Sequence, residues 1–164
     1  MKKALFLDRD GVINHEYNYV HKIESFDFIP GIFEFCKFFL NQGYLIVIIT
    51  NQAGIARGYY TEKEFWKLTK WMLAEFEIKG IEITKAYCCP HHPEFTGACN
   101  CRKPNPGMLL KASKDFGIDL ESSMLVGDKE SDLNAGINAG LLKEKCYLFN
   151  GSYKDIITKC KLTN

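Results

Sequence analysis

The sequence ALFLDRDGV, residues 4–12, joins a short apolar run to a pair of aspartates. The run at residues 4–7 has the length and composition of a buried β-strand, which ends at Asp8. Because Asp8 and Asp10 are two positions apart, a turn after the strand lets both carboxylates point into one crevice. One carboxylate can attack phosphorus, while the other donates a proton to the leaving oxygen and later takes one from water. Taken alone, such a pair is more often a solvated turn than a catalytic pair.

Helical stretches and short apolar runs alternate along the rest of the chain. One helix is predicted between Gly31 and Gly43, and Thr61-x-x-Glu64 is a capping box ahead of a long helix that ends at Gly80. Further helices are predicted at 106–116 and 132–139, and further strands at 45–49, 83–88, 124–126 and 147–149. This alternation predicts an α/β fold, a doubly wound and mainly parallel sheet with helices on both faces. We expect one domain over residues 1–164, with a small or absent cap.

Polar residues follow three of these strands at the point where each strand ends. Asp8, Thr50 and Asp128 occupy these positions, and a parallel sheet binds ligands beyond the carboxyl ends of its strands. Thr50-Asn51 offers a hydroxyl and backbone N–H groups to phosphate oxygens, while Asp128 and Asp132 offer carboxylates to a metal. Each residue also has a plainer explanation, for example Thr50 as a strand cap or Asp128 as a helix N-cap. Their joint position at strand ends favours the functional interpretation.

Positive charge is the remaining requirement of this phosphate chemistry. Lys103, in the segment Arg102-Lys103-Pro104, can neutralise a transferring phosphoryl group, although it also fits a surface charge. Asp8 and Asp10 cannot both act fully charged against a phosphate dianion, so a metal cation is needed as well. Magnesium, which takes oxygen ligands and keeps open water positions, suits that task.

In their order and spacing, these motifs resemble the haloacid dehalogenase superfamily over nearly the whole chain. The resemblance implies that Asp8 is the nucleophile and forms an aspartyl-phosphate, and that Asp10 is the general acid and base. It also implies that Thr50 and Lys103 bind phosphate. The implied magnesium ligands are Asp8, the backbone carbonyl of Asp10, and Asp128, with Asp132 one layer further from the metal. The lack of a large cap favours simple hydrolysis over transfer to another acceptor.

A loop rich in cysteine and histidine lies just before Arg102. It supplies three thiolates and one imidazole, the set of a closed tetrahedral zinc site. The four candidate ligands are Cys89, His91, Cys99 and Cys101. Structural zinc is favoured over free thiols, and a redox pair in the Cys-x-Cys segment is the next alternative. Cys88 and His92 are the spare residues, because neighbours on an extended segment face opposite ways. Zinc would fix the loop that presents Arg102 and Lys103.

Within the superfamily, the sequence is most similar to the heptose bisphosphate phosphatases. The likeness covers about residues 3–140, including YVHKI at 19–23, FDFIPG at 26–31, NQAGIARGYY at 51–60 and CRKPNPG at 101–107. It implies that Arg57, Arg102 and Lys129 meet the sugar or its second phosphate, although each is about as well explained as a solvated surface charge. It also implies a phosphorylated sugar as substrate, in a pathway that supplies heptose for lipopolysaccharide or related surface glycans.

Three other functions are compatible with parts of the sequence. Histidinol-phosphate phosphatases share the aspartate motifs and the zinc loop, but histidinol is cationic and its pocket should offer an acidic or neutral group. The three cations argue against that substrate, whereas Glu16 and His21 favour it. A related enzyme that removes 3′-phosphates from DNA would need a basic surface. A zinc-bound binding module without activity is the alternative from another class, and the intact aspartate and lysine motifs argue against it.

The composition indicates a globular protein without a nucleic-acid or membrane partner. Of 164 residues, 46% are hydrophobic and 25% are charged, and a net charge of +1 provides no broad basic surface. The N-terminal apolar run is too short for a signal peptide, and no stretch approaches a membrane span. Seven cysteines without a regular framework indicate metal binding rather than disulfides. We therefore expect a cytoplasmic monomer.

Overall fold

Five parallel β-strands form the centre of the molecule. A computed structural model describes residues 1–162, so the last two residues of the predicted domain lie outside the described part. The strands are β1 (Lys3–Leu7), β2 (Tyr44–Asn51), β3 (Lys85–Cys89), β4 (Met124–Gly127) and β5 (Cys146–Leu148). Their order across the sheet is β3-β2-β1-β4-β5, and every neighbouring pair is parallel. The predicted parallel sheet is confirmed, and β1 lies at its centre.

Helices connect the strands and follow the last one. They are α1 (Ile32–Asn41), α2 (Ala53–Ala56), α3 (Glu62–Ile78), α4 (Pro93–Thr96), α5 (Gly107–Phe116), α6 (Glu130–Ala139) and α7 (Tyr153–Leu162), with 3-10 turns at Ile23–Ser25 and Lys143–Lys145. The four predicted helices are α1, α3, α5 and α6, whereas α2, α4 and α7 were not predicted. Helix α6 begins at Glu130 rather than at Asp132, because the Asp132 carboxylate caps it by accepting the N–H of Lys129. Within residues 1–162, no helix has the length and apolar content to cross a bilayer.

The helices cover both faces of the sheet, as predicted. Successive residues of a strand point to opposite faces, so each central strand contributes to two packed clusters. On one face, Leu5 of β1 belongs to the same cluster as Phe35 of α1 and Met72 of α3. On the other face, Phe6 of β1 belongs to a cluster with Leu109 of α5. Because helices bury both faces of the sheet, the sequences of β1 and β2 are nearly continuous apolar runs. Each run ends at a polar residue, where the strand leaves the core.

Helix α7 braces the loop that follows β1. The ring of its buried Tyr153 packs on Phe35 of α1, with 4.9 Å between the ring centroids. The Tyr153 hydroxyl donates a hydrogen bond to the carbonyl of Val12. Val12 lies two residues after Asp10, so the last helix of the described chain helps to fix the Asp-x-Asp loop.

Candidate active site

The loop after β1 turns sharply at Gly11. The φ angle of Gly11 is 86°, in the left-handed region that favours glycine. A Cβ atom at this position would lie 2.1 Å from Oδ2 of Asp128. Glycine is therefore needed both for the turn and for the close approach of Asp128. The turn leaves Asp8 and Asp10 on the wall of one cleft, as their spacing predicts.

Lys103 supplies the positive charge at the bottom of this cleft. Its buried Nζ atom lies 2.9 Å from Oδ1 of Asp8, 2.6 Å from Oδ1 of Asp132 and 3.0 Å from the carbonyl oxygen of Ile49. Burial lowers the pKa of Lys103, but the charges of Asp8 and Asp132 outweigh burial and raise that pKa above its ordinary value. The ammonium group therefore stays protonated beside the predicted nucleophile.

Asp8, Asp128 and Asp132 form an acidic cluster around this lysine. One oxygen from each carboxylate lies within 4.8 Å of the others. Oδ1 of Asp128 is buried and has no hydrogen-bond partner among the described residues. Burial raises the pKa of Asp8, and the charges of Asp132 and Asp10 raise it further although Lys103 lowers it. Burial and the charge of Asp132 also raise the pKa of Asp128. The donor set fits a hard divalent cation such as magnesium.

Asp132 uses both carboxylate oxygens on protein donors. Its Oδ1 pairs with Lys103, and its Oδ2 accepts the backbone N–H groups of Asp128 and Lys129, each at 3.1 Å. Gly127 leaves the space for this side chain, since a Cβ on Gly127 would lie 2.2 Å from Cβ of Asp132. These contacts suit a residue that orients its neighbours from one layer outside the metal, and that role stays a prediction.

Three residues that sequence reasoning missed hold the carboxylate of Asp10. Arg9 donates to Oδ1 from Nη2 at 2.7 Å and from Nε at 3.1 Å, and Asn14 donates to the same oxygen at 3.0 Å. Gln52 donates to Oδ2 at 3.0 Å. Arg9 is only 1% exposed, and a buried arginine needs a partner. In the sequence, the only indication that Arg9 would contact Asp10 was its position between the two aspartates.

Thr50 and Asn51 end β2, but the structure places their side chains differently. Thr50 is buried, its Oγ1 accepts a hydrogen bond from Gln52 at 2.8 Å, and it is not among the described residues that line the cleft. Asn51 lines the cleft and exchanges two hydrogen bonds with the backbone of Lys103, at 3.0 and 3.2 Å. Asn51 thus lines the cleft while its side-chain amide holds the backbone of Lys103, and phosphate binding by Thr50 and Asn51 stays a prediction.

The cleft has a volume of about 540 Å³. The three cations that the sequence assigns to the substrate, Arg57, Arg102 and Lys129, line it together with Asp8 and Asp10. Sequence reasoning missed other lining residues, among them Asn18, Tyr19, Gln52, Tyr60, His92 and Ser131. These residues lie on loops or at helix starts, where no periodic pattern marks them.

Glu16 and His21, which favour a cationic substrate in the sequence, separate in the structure. Glu16 lines the cleft, and its pKa is raised by burial and by the charge of Asp10. His21 is not part of the cleft lining. Its ring stacks on Tyr60 with 4.8 Å between centroids, and its Nδ1 forms a hydrogen bond with the carbonyl of Tyr19. Glu16 is therefore the acidic group that a cationic part of a substrate would meet.

The four predicted zinc ligands converge in space. One ligand atom from each of Cys89, His91, Cys99 and Cys101 lies within 4.8 Å of the others. Sγ of Cys89 is 3.7 Å from Sγ of Cys99, and Nδ1 of His91 is 3.3 Å from Sγ of Cys101. Burial raises the pKa of Cys99, but backbone hydrogen bonds from Arg102 and Cys101 bring it down to about 7. The cluster has the donors of a closed zinc site, with a thiolate available near neutral pH.

The zinc loop also carries two residues to the cleft. His92 and Cys88 lie outside the metal-binding group. His92 instead caps α4, where its Nδ1 accepts the N–H of Glu94 at 3.2 Å, and it lines the cleft. Arg102 donates from Nη1 to the carbonyl of His91 at 3.4 Å. The loop that the zinc ligands close is thus the loop that presents His92 and Arg102.

Curated relatives agree with this geometry. A family model described as HAD-hydrolase-like matches residues 100–143, which include Lys103, Asp128 and Asp132. D-glycero-alpha-D-manno-heptose-1,7-bisphosphate 7-phosphatase of Campylobacter jejuni is 55% identical over 85% of this chain and 78% of its own length. D-glycero-beta-D-manno-heptose-1,7-bisphosphate 7-phosphatase of Pasteurella multocida is 49% identical over 85% of this chain and 78% of its own length.

Solved structures agree as well. A protein from Mesorhizobium loti described as a HAD-like phosphatase gives a TM-score of 0.87 at 30% identity, over 98% of this chain and 87% of that one. D,D-heptose 1,7-bisphosphate phosphatase from B. bronchiseptica, complexed with magnesium and phosphate, gives a TM-score of 0.80 at 30% identity, over 89% of this chain and 79% of that one.

The fold and the site therefore define a HAD-like phosphatase, a phosphoric monoester hydrolase. Within that class, the chain belongs to the family of D-glycero-D-manno-heptose-1,7-bisphosphate 7-phosphatases. The resemblance found in the sequence is confirmed at both levels. The alternative of a zinc-bound module without activity finds no support.

Proposed function

We propose that this chain removes the 7-phosphate of D-glycero-D-manno-heptose 1,7-bisphosphate in a magnesium-dependent reaction, with Asp8 as nucleophile. One observation carries the proposal: the cleft that holds Asp8 also holds three cations, Arg57, Arg102 and Lys129, none of which pairs with Asp8. A monophosphate needs the charge of Lys103 and a metal at the reacting end. Further cations on the wall suit a second anionic group on the substrate.

The reaction runs in two steps that return the enzyme to its starting state. In the first, an oxygen of Asp8 bonds to phosphorus, the bond from phosphorus to the sugar oxygen breaks, and Asp10 gives that oxygen its proton. In the second, Asp10 takes a proton from a water whose oxygen bonds to phosphorus, and the bond to Asp8 breaks. Lys103 beside Asp8 is placed to offset charge on the transferring group throughout.

Magnesium supplies Lewis-acid neutralisation of phosphate charge when it is bound. The residues proposed to hold it are Asp8, the backbone carbonyl of Asp10, and Asp128, whose buried and unpartnered Oδ1 supports this assignment. Asp132 is proposed to orient them by pairing with Lys103. Thr50 and Asn51 are proposed as phosphate ligands at the end of β2, with Asn51 on the cleft surface.

Zinc is proposed to have a structural role at Cys89, His91, Cys99 and Cys101. Its support is the convergence of three sulfur atoms and one imidazole nitrogen beside the cleft. A closed set of four protein ligands leaves no open position for catalysis. Zinc would instead hold the segment from which Arg102 and Lys103 reach the substrate.

The cellular compartment, the oligomeric state and the pathway are part of the same proposal. We place it in the cytoplasm as a single-domain monomer that acts on a phosphorylated sugar in heptose supply for lipopolysaccharide or related surface glycans. All seven cysteines are free, which suits a reducing compartment. The net charge of +1 supports a small-molecule substrate rather than nucleic acid or a membrane surface.

A direct test is the ratio of kcat/KM for heptose 1,7-bisphosphate to kcat/KM for histidinol phosphate, with magnesium present. The bisphosphate is expected to be preferred by at least about 100-fold, since a hydrogen bond to a charged group contributes roughly 1.5–3 kcal/mol and several are available. Glu16 on the cleft wall is the observation that favours histidinol phosphate. A preference for that cationic substrate would overturn the assignment.

A further inference from the structure

Gln52 connects the carboxylate of Asp10 to a buried tyrosine. Its Nε2 donates to Oδ2 of Asp10 at 3.0 Å and to Oγ1 of Thr50 at 2.8 Å, while its Oε1 accepts from the hydroxyl of Tyr60. Gln52 is 3% exposed and Tyr60 is 4% exposed. The amide therefore has three hydrogen-bond partners, of which Thr50 and Tyr60 are buried, and little freedom to turn.

The orientation of this amide follows from its partners. A carboxylate accepts hydrogen bonds, so the N–H₂ end of Gln52 must face Asp10 and its oxygen must face Tyr60. Burial raises the pKa of Tyr60, so its hydroxyl keeps the proton that it donates to Gln52. The tyrosine ring packs closely on the backbone of Gly54, since a Cβ atom added to Gly54 would lie 2.2 Å from Cε1 of Tyr60. This contact fixes the ring. Asp10 thus sets which end of the amide faces it, and Tyr60 holds the amide in that orientation by donating to its oxygen.

The two oxygens of Asp10 are unequally occupied. Oδ1 accepts three hydrogen bonds, two from Arg9 and one from Asn14, whereas Oδ2 accepts one, from Gln52. Oδ2 therefore retains the capacity to exchange a proton with the substrate. An acid must be aligned with the leaving oxygen to be effective, and only Gln52 contacts the oxygen that would do so among the described residues.

We propose that Gln52, oriented by Tyr60, is a positioning residue that holds Oδ2 of Asp10 in line for proton transfer to the leaving oxygen. The proposal rests on the proposed role of Asp10 as general acid. It requires no particular sugar, because neither residue is assigned a contact with the substrate's remote end. Its effect is expected in the step in which the phosphorus–oxygen bond of the substrate breaks.

The test compares phenyl phosphate with p-nitrophenyl phosphate, two esters of similar shape. Phenolate is the poorer leaving group and depends more on a proton donor. Gln52→Met, which keeps the length of the side chain and removes the amide, should lower kcat/KM about 10- to 100-fold on phenyl phosphate and less than about threefold on p-nitrophenyl phosphate. Tyr60→Phe should show the same selectivity with a smaller loss. Tyr59→Phe, at an exposed neighbouring position, is the matched control and should change neither substrate.

The variant Asp10→Asn separates this inference from the proposed function. If Gln52 acts through Asp10, adding Gln52→Met to Asp10→Asn should cause no further loss on phenyl phosphate. Equal losses on both esters, or losses that add fully in the double variant, would mean that Gln52 is only structural. Normal rates in both Gln52→Met and Tyr60→Phe would also overturn the inference. If Asp10→Asn itself fails to discriminate between the two esters, the acid role of Asp10 is wrong, whatever Gln52 does.

Discussion

At the base of the cleft, Asp8, Lys103 and Asp132 are buried where the sheet and α6 meet, whereas at its rim Arg57 and Arg102 stand on loops. Each base residue contacts at least one of the others, and Lys103 contacts both aspartates. The rim cations have weaker supports. Arg57 lies over the ring of Phe95, 5.1 Å from its centroid, and Arg102 reaches the carbonyl of His91 at 3.4 Å.

Under the proposed function, the base residues carry out the reaction, and the rim residues determine which substrate is preferred. Asp8 of the base follows a strand whose register the whole sheet determines, and ion pairs join it through Lys103 to Asp132 on α6. This geometry is therefore the same for every substrate that places a phosphate there. The rim depends on short loops and on the predicted zinc ligands, whereas Lys103, next to Arg102 in the chain, is held in the base by its own ion pairs with Asp8 and Asp132. Substitutions at the two places should therefore change different kinetic quantities.

The largest effect is expected at the base, from Asp8→Asn. An amide is a poor nucleophile and a poorer magnesium ligand than a carboxylate, so kcat should fall by about 1,000-fold or more on every phosphate ester. The measurement is steady-state turnover of p-nitrophenyl phosphate, with circular dichroism to confirm folding. Asp119→Asn, at a residue not placed in the site, is the control. A variant that retained a tenth of wild-type kcat would show that no covalent intermediate forms on Asp8.

Lys103→Ala should also damage all substrates, and it should weaken the fold in the absence of metal. The change leaves Asp8 and Asp132 buried without their cation, which costs about 3–5 kcal/mol of unfolding free energy. Chemical denaturation in EDTA and kcat/KM on two substrates measure the two effects. Lys111→Ala, which removes an exposed surface pair, should change neither. Full activity in Lys103→Ala on either substrate would contradict its role at the base.

Arg102→Ala should be selective, because it removes binding energy remote from the reacting phosphorus. We expect kcat/KM for heptose 1,7-bisphosphate to fall about 10- to 100-fold, with a much smaller loss on p-nitrophenyl phosphate. Lys114→Ala serves as a control for loss of a positive charge away from the cleft. Equal losses on both substrates would place Arg102 in the shared phosphate site and remove the contrast between base and rim.

Substitution of the predicted zinc ligands should have the smallest effect on kcat. Cys99→Ala or Cys101→Ala should lower the zinc content from about one per chain to near zero. KM for the bisphosphate should rise several-fold while kcat on p-nitrophenyl phosphate changes little, because the metal supports the loop of Arg102. Cys146→Ala, outside the cluster, should keep its zinc. A wild-type protein that contains no zinc and has full activity would refute the assignment.

Two aspartates of the site were predictable because they sit where apolar runs stop. Asp8 and Asp128 each follow a buried strand directly, and parallel strands bring their carboxyl ends to one edge. Lys103 follows no strand, and its place was predicted from the segment Arg102-Lys103-Pro104 and the family resemblance. The convergence of the four predicted zinc ligands was foreseeable for a different reason, since their spacing in the sequence is that of a closed zinc site.

The missed elements depend on contacts that spacing does not encode. Gln52 looks like an ordinary loop amide until the fold places Asp10, 42 residues away in sequence, and Tyr60, eight residues away, on either side of it. Helix α7 is different, because Tyr153, Ile156 and Cys160 are its buried residues at i, i+3 and i+7, a helical signal that was present in the sequence. Helix α4 was signalled only by Pro93 at its first position.

The central place of β1 in the sheet has a consequence for how the chain folds during synthesis. Strand β1 is synthesised first, yet its partner β4 comes more than a hundred residues later, and Asp8 is 95 residues from the lysine that neutralises it. Contacts between such distant residues form late and slow the search for the native state. A chain still emerging from the ribosome therefore carries the proposed nucleophile, Asp8, long before the rest of the site can form around it. We expect a nascent chain that ends before β4 to lack phosphatase activity.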